Sequence, residues 1–221
     1  MWPFRKRKKP DEDLLERVWT HRETVVYPAL FGEPTSENIY TLKAKIFESV
    51  FQQKMDLLWG HHGVIWFRSD DVWTAVTSGM SNPWWDDHAN PDGPSGMGLE
   101  LAIQCREEEA WATGLLQRVM AYQLLIGAGC YPNTPWLARY ARVPLGGSLS
   151  DTSALTHVMM VPRPELMNIQ LESGTFDILQ VVPITAAELR MAQQEGGAVL
   201  LGRLAEANAD RVVDLERASV V

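Results

Sequence analysis

Residues 72–105, VWTAVTSGMSNPWWDDHANPDGPSGMGLELAIQC, narrow the possible folds more than any other part of the chain. Two strand-like runs flank about twenty loop residues, 79–98, which hold four Gly, three Pro, three Asp, a Trp pair and His88. Loops this long are uncommon in compact domains and are usually functional or disordered. Strand-like pins on both sides and two large aromatics favour an ordered excursion that contacts something. Such a loop needs a sheet to anchor it.

The rest of the pattern supplies one. Residues 99–105 alternate: Leu99, Leu101, Ile103 and Cys105 face one way, and Glu100, Ala102 and Gln104 the other. That is the period of a half-buried strand. Runs at 64–67, 72–77, 157–161 and 167–171 read as further strands. The nearly continuous apolar run 176–182 suits a central strand covered on both faces. A turn at Ser173-Gly174 predicts a hairpin between the last two.

Helical spacing appears over 11–24, broken by Pro28 and Gly32, over 46–59, closing near Gly60, and most strongly over 107–126. Thr185 and Glu188 form a capping-box signature that opens a helix running to Glu195. Gly196-Gly197 then separates it from another over 198–207. Residues 128–150 read as irregular. The expected architecture is α/β of the α+β kind: a mixed, largely antiparallel central sheet with helices packed on it.

The 221 residues suit one domain over 11–221 behind a basic tail over 1–10. No apolar run is long enough for a membrane span, and the start has no apolar segment of a secretory signal. Cys105 and Cys130 make no disulfide framework, so a reducing cytoplasm is the expected location. The net charge is −8; Arg5, Lys6, Arg7, Lys8 and Lys9 contribute +5, which leaves the body at −13. An acidic body disfavours nucleic acid and suits a basic partner. The tail is either a solubilising terminus or an anionic-membrane contact.

Catalytic signatures fit poorly. Gly79-Met80-Ser81-Asn82-Pro83 resembles a nucleophile elbow, but Pro83 stands where the second Gly belongs and no helix follows. Gly93-Pro94-Ser95-Gly96-Met97-Gly98 has a phosphate-loop composition but leads into a strand. His61, His62, Asp86, Asp87 and His88 lack metal-ligand spacing. No cofactor, metal site or catalytic residue is therefore expected. The alternative is a metal-dependent or serine hydrolase using Ser81, Asp86 and His88. Trp59, Trp66, Trp73 and Trp111 sit in patterned elements and read as core. Trp84 and Trp85 cannot both bury on one face of an extended chain. They serve either as interface anchors or as a plug at the core edge. Asp86, Asp87 and Asp92 either meet a basic partner or lie solvated in turns.

Residues 92–101, DGPSGMGLEL, resemble the DGPSGxGxEL signature of the Suppressor of fused family. Val76 to Ser81 resembles its strand-turn element, and Pro183-Ile184-Thr185 with Glu188-Leu189 and Gln193-Gln194-Glu195-Gly196 its late strand-to-helix segment. The resemblance implies a non-catalytic domain that binds proteins. Animal members restrain Gli transcription factors by gripping a short peptide, and many bacterial single-domain members are thought to be immunity proteins against toxins. This chain is expected to lack the second peptide-gripping domain. The resemblance thus implies a cytoplasmic bacterial immunity protein with a cognate toxin as partner and no membrane span. Trp84, Trp85, Asp86, Asp87, His88, Asp92 and Ser95 are the expected partner-binding residues.

Overall fold

The computed structural model describes residues 12–36, 39–85 and 89–221. Its centre is a mixed sheet, nine-stranded among the described residues, in the order β1-β3-β4-β5-β9-β7-β6. The middle of the sheet is β3 (Gly63–Ser69), β4 (Val72–Ser78), β5 (Pro94–Cys105), β9 (Gly174–Thr185) and β7 (Leu155–Pro162). Short strands finish it: β1 (Glu33–Pro34) and β2 (Tyr40–Thr41) on β3, β8 (Ile169–Leu171) on β9, and β6 (Arg142–Pro144) on β7. The ladders between these strands are antiparallel except β5–β9, which is parallel. The expected hairpin is β8–β9.

Side-chain alternation sorts the core between two helical layers. On one face, Val64, Trp66, Leu101, Ile103, Leu179 and Val181 pack against α4 (Ala110–Gly127) and α3 (Ala44–Phe51). On the other, Ile65, Phe67, Val76, Ala102 and Ile178 meet Val18, Tyr27 and Phe31 of α1 (Glu12–His21) and α2 (Tyr27–Phe31). Farther along that second face, Met159, Val161, Val182 and Ile184 meet α5 (Ala186–Gln194) and α6 (Gly197–Glu206). The capping box at Thr185 forms with both reciprocal bonds.

Three expectations change. The strand at 99–105 is not half-buried: Leu99, Glu100, Leu101, Ala102 and Ile103 are all buried, because the α1–α2 layer covers the face that carries Glu100. The first helix does not break at Pro28. A π-helical turn at Arg22–Val26 carries α1 into α2, with Pro28 just past the π-turn; Gly32, at φ +89°, ends the run. The helix expected over 46–59 ends at Phe51, because Gln52 adopts the left-handed conformation. A separate 3-10 turn follows at Leu57–His61, capped by the Asp56 carboxylate.

Candidate functional site

The loop anchored between β4 and β5 is held from beneath by a buried polar cluster. β5 places Glu100 on the second face of the sheet, fully buried. One of its oxygens accepts from the Gly79 amide at 3.1 Å, the Ser81 amide at 2.8 Å and the Ser81 hydroxyl at 2.8 Å. The other accepts from the Thr77 hydroxyl at 2.6 Å, and Thr77 in turn accepts from the Leu101 amide. A single carboxylate thus ties both ends of the excursion together.

Burial pushes the Glu100 carboxyl above its ordinary range, opposed by Arg22 and by the donors around it. Arg22 is fully buried in the π-helical turn, with Nη1 3.9 Å from the carboxylate. The same guanidinium donates to the Ser81 hydroxyl at 3.0 Å, the Ser78 hydroxyl at 2.6 Å and the Asn82 side-chain oxygen. Ser78 passes a hydrogen bond on to Glu23. The π-turn therefore aims Arg22 into the strand-turn corner from the covering layer. Ser81 donates to a carboxylate, accepts from an arginine and is fully buried. That arrangement shapes a loop and leaves the hydroxyl out of reach of a substrate.

The Gly-rich motif is built into the same support. Gly96 has φ +58°, and a Cβ there would lie 2.5 Å from both the Met80 and Asn82 carbonyl oxygens. Ser95 is buried and donates to the Ser81 carbonyl at 2.7 Å, with its hydroxyl also against Ser173. The Met97 amide reaches the Met80 carbonyl at 2.7 Å, and the Asn90 amide the Ser173 carbonyl at 2.9 Å. Residues 94–98 belong to β5, so the irregular part of the loop is shorter than 79–98.

Above this support lies an aromatic face. Trp84 stacks on His62 at 5.1 Å between ring centroids, tilts against His61 at 5.9 Å and meets Trp19 of α1 edge-on at 5.8 Å. Its indole N–H donates to the Gly79 carbonyl at 2.6 Å. His62 is 1% exposed, and burial lowers its imidazole to about 3, with Arg22 and His61 adding to the effect and the Leu58 carbonyl opposing it. Trp19 and Trp84 remain half-buried and His61 is exposed. Trp19 also lines a hollow of about 390 Å³ with Leu15, Glu16 and Glu23.

The expected partner residues separate accordingly. Trp84 seals the core edge with one face while remaining half-buried, and Trp85 is half-buried beside it. Asp92 is exposed, whereas Ser95 points inward. Asp86, Asp87 and His88 lie outside the described residues, as does the basic run Arg5 to Lys9. Among the described residues no cluster of His, Cys, Asp and Glu could hold a metal ion, and no helix is long and apolar enough to cross a membrane. Sequence reasoning missed Trp19, Arg22 and Glu23. Their only signal was a polar residue, Arg22, on a helix otherwise read by its apolar side.

Comparison with known proteins accords with this geometry. The family model for Suppressor of fused protein matches residues 48–218. The human Suppressor of fused homolog is 25% identical over 139 residues, which is 58% of this chain and 28% of the human protein; the mouse homolog is 24% identical over the same shares. The chain thus spans less than a third of the curated relatives it matches. Among solved structures, a chain of the Sufu–Fu complex superposes with a TM-score of 0.61 at 20% identity, covering 97% of this chain and 93% of that one. A Suppressor of fused homologue from Neisseria gonorrhoeae FA 1090 gives 0.60 at 18% identity, covering 96% and 98%. Drosophila Suppressor of Fused gives 0.57 at 19%, covering 80% and 49%. With the motif at 92–101 built into the sheet and a family model spanning most of its length, the chain belongs to the Suppressor of fused family.

Proposed function

We propose that this chain is a non-catalytic protein-binding domain, and that its role is that of a cytoplasmic immunity protein that binds and blocks a cognate toxin. The observation that carries the reading is the half-buried Trp19–Trp84 pair beside the hollow on α1 lined by the exposed Glu12 and Glu16. Partly exposed tryptophans on a rigid support are favoured anchors at interfaces, and surrounding carboxylates speed association with a basic partner. Trp85 beside Trp84 and the exposed Asp92 of the same loop belong to the contact in this reading, as do Asp86, Asp87 and His88 by their place in the sequence, and Ser95 supports it from within. The solved Sufu–Fu complex supports a protein as the ligand class. The internal use of the Ser81 hydroxyl supports the absence of hydrolysis.

The test is binding and protection with the product of a toxin-like gene adjacent to this one. The wild-type chain is expected to bind it by titration calorimetry and to rescue growth when co-expressed. Trp85→Ala and Glu16→Lys are expected to weaken binding tenfold or more while circular dichroism stays unchanged. A folded wild-type chain that neither binds nor protects would overturn the immunity reading.

A further inference from the structure

A second surface has the opposite chemistry. Between α3 and α4, with β2, Ser148 and Leu149 also lining it, lies an open trough of about 710 Å³. Ile46 and Trp111 supply apolar lining, and Lys43, Lys45 and Arg118 bring three cations to it. In a chain of net charge −8, these three have no ion-pair partner among the described residues. Glu108, just before α4, is engaged by the Tyr40 hydroxyl. Gln117 fixes the β2 end, donating to the Tyr40 carbonyl at 2.8 Å and the Thr41 carbonyl at 3.0 Å.

Gly114 also lines the trough. It sits within the eighteen-residue α4, and a Cβ there would meet nothing within 4 Å. Glycine inside a helix is less favourable than alanine, and no neighbour in the fold requires this one. A bare backbone on the trough floor lets another chain approach closely.

We propose that this trough docks a short acidic segment of another protein, one that seats an apolar side chain over Gly114 while its carboxylates meet Lys43, Lys45 and Arg118. The cations come from two elements and are not gathered on one, which fits an extended, multiply charged ligand. The trough lies on the α3–α4 side of the sheet, away from Arg22 and the α1 hollow, so it stands independently of the loop face.

The probe is a phage-displayed random library of fourteen-residue peptides, selected on the full chain and, in parallel, on the Lys43→Glu/Lys45→Glu/Arg118→Glu variant. Selected peptides are then measured by fluorescence anisotropy in 150 mM salt. The expected result is enrichment of peptides carrying several Asp or Glu and at least one large apolar residue. Their affinity should fall tenfold or more with the triple variant. Gly114→Leu should weaken binding as strongly while leaving helical circular dichroism intact, and Gly114→Ala should raise the urea midpoint. Trp85→Ala should leave peptide binding unchanged, which separates this site from the toxin-binding face. The proposal is overturned by no enrichment, by peptides that ignore the triple variant, or by neutral and basic peptides binding equally well. It is also overturned if the variants instead abolish self-association seen by sedimentation, or if a twenty-nucleotide single strand or phosphatidylserine vesicles bind the trough in preference to the peptides.

Discussion

His62 makes the folded state sensitive to mild acid. Its ring is sealed under Trp84, and a Cβ on Gly79 would lie only 2.7 Å from it, so there is no room for water to follow a proton in. The folded imidazole titrates at about 3, whereas the unfolded one titrates near 6.5. A group whose folded pKa is depressed below its unfolded value loses stability as pH falls, because the unfolded chain binds the proton first. The loss begins near pH 6.5 and continues to about pH 3. Integrating the linkage between pH 7 and pH 5 gives about 2 kcal/mol. That figure barely changes for any folded pKa below about 4, since the unfolded state alone controls it in this range. Other groups that titrate in this interval, including Glu100 with its raised pKa, are common to the wild type and the variant below and cancel in the comparison. The assay is urea unfolding followed by tryptophan fluorescence from pH 7 to pH 5, on the wild type and on His62→Phe, which keeps a ring against Trp84. The wild type is expected to lose about 2 kcal/mol more than the variant over that interval. Equal losses in the two proteins would refute the burial argument.

Other perturbations test the support beneath the loop. Glu100→Gln removes one of the two carboxylates facing buried Arg22, leaving Glu23 at 3.7 Å, and is expected to lower unfolding free energy by about 3 kcal/mol; a loss under about 1 kcal/mol in urea would show that the cluster does not hold the corner. Gly96→Ala combines a left-handed φ with overlap onto two carbonyl oxygens and is expected to cost about 3 kcal/mol or more; a thermal midpoint within a degree of wild type would count against the observed turn. Glu188 is buried, yet the bonds from Arg217, Thr185 and Val220 hold its carboxyl below its ordinary value of 4.5. Its contribution is present above that value and drains away as pH falls through the folded pKa. Arg217→Met should lower stability at pH 7 and flatten this acid limb, visible as a smaller midpoint shift between pH 5 and pH 3. Glu100 runs the other way, because its raised pKa means that acidification relieves a burial cost.

Much of the sheet was legible because strands leave a period of two. The runs at 64–67, 72–77, 157–161 and 176–182 each fall inside an observed strand. The capping box located α5 by local chemistry alone. What sequence could not show was the second helical layer. The alternation at 99–105 places Glu100 correctly opposite Leu99 and Leu101, but solvent and a covering helix leave the same pattern. Only tertiary structure supplies the Arg22 that makes burial of that carboxylate tolerable. Likewise Gln52, in the left-handed conformation, ended a helix whose spacing ran on to 59, and Pro28 failed to end one, because the π-helical turn before it carries the run through.

The Gly-Pro-Ser motif carries a further consequence. From the sequence, Asp92 and Ser95 of this motif are expected to touch the partner. Instead Gly96 seats the turn against Met80 and Asn82, Ser95 bonds back to Ser81, and Glu100 ties the amides of Gly79 and Ser81. A motif spent on holding the corner identifies the fold and leaves the partner unspecified. On the protein-binding function proposed above, recognition falls to what this corner holds up: Trp84 and Trp85 at the loop's start and Trp19 on α1. If so, replacing Trp85 or Asp92 should alter binding with little change in unfolding free energy, while replacing Ser95 or Glu100 should lower stability first and binding only in proportion. Trp84 belongs to both classes, because one face of its ring covers His62. A variant at Ser95 that keeps full stability yet loses partner binding would reverse this division between support and contact.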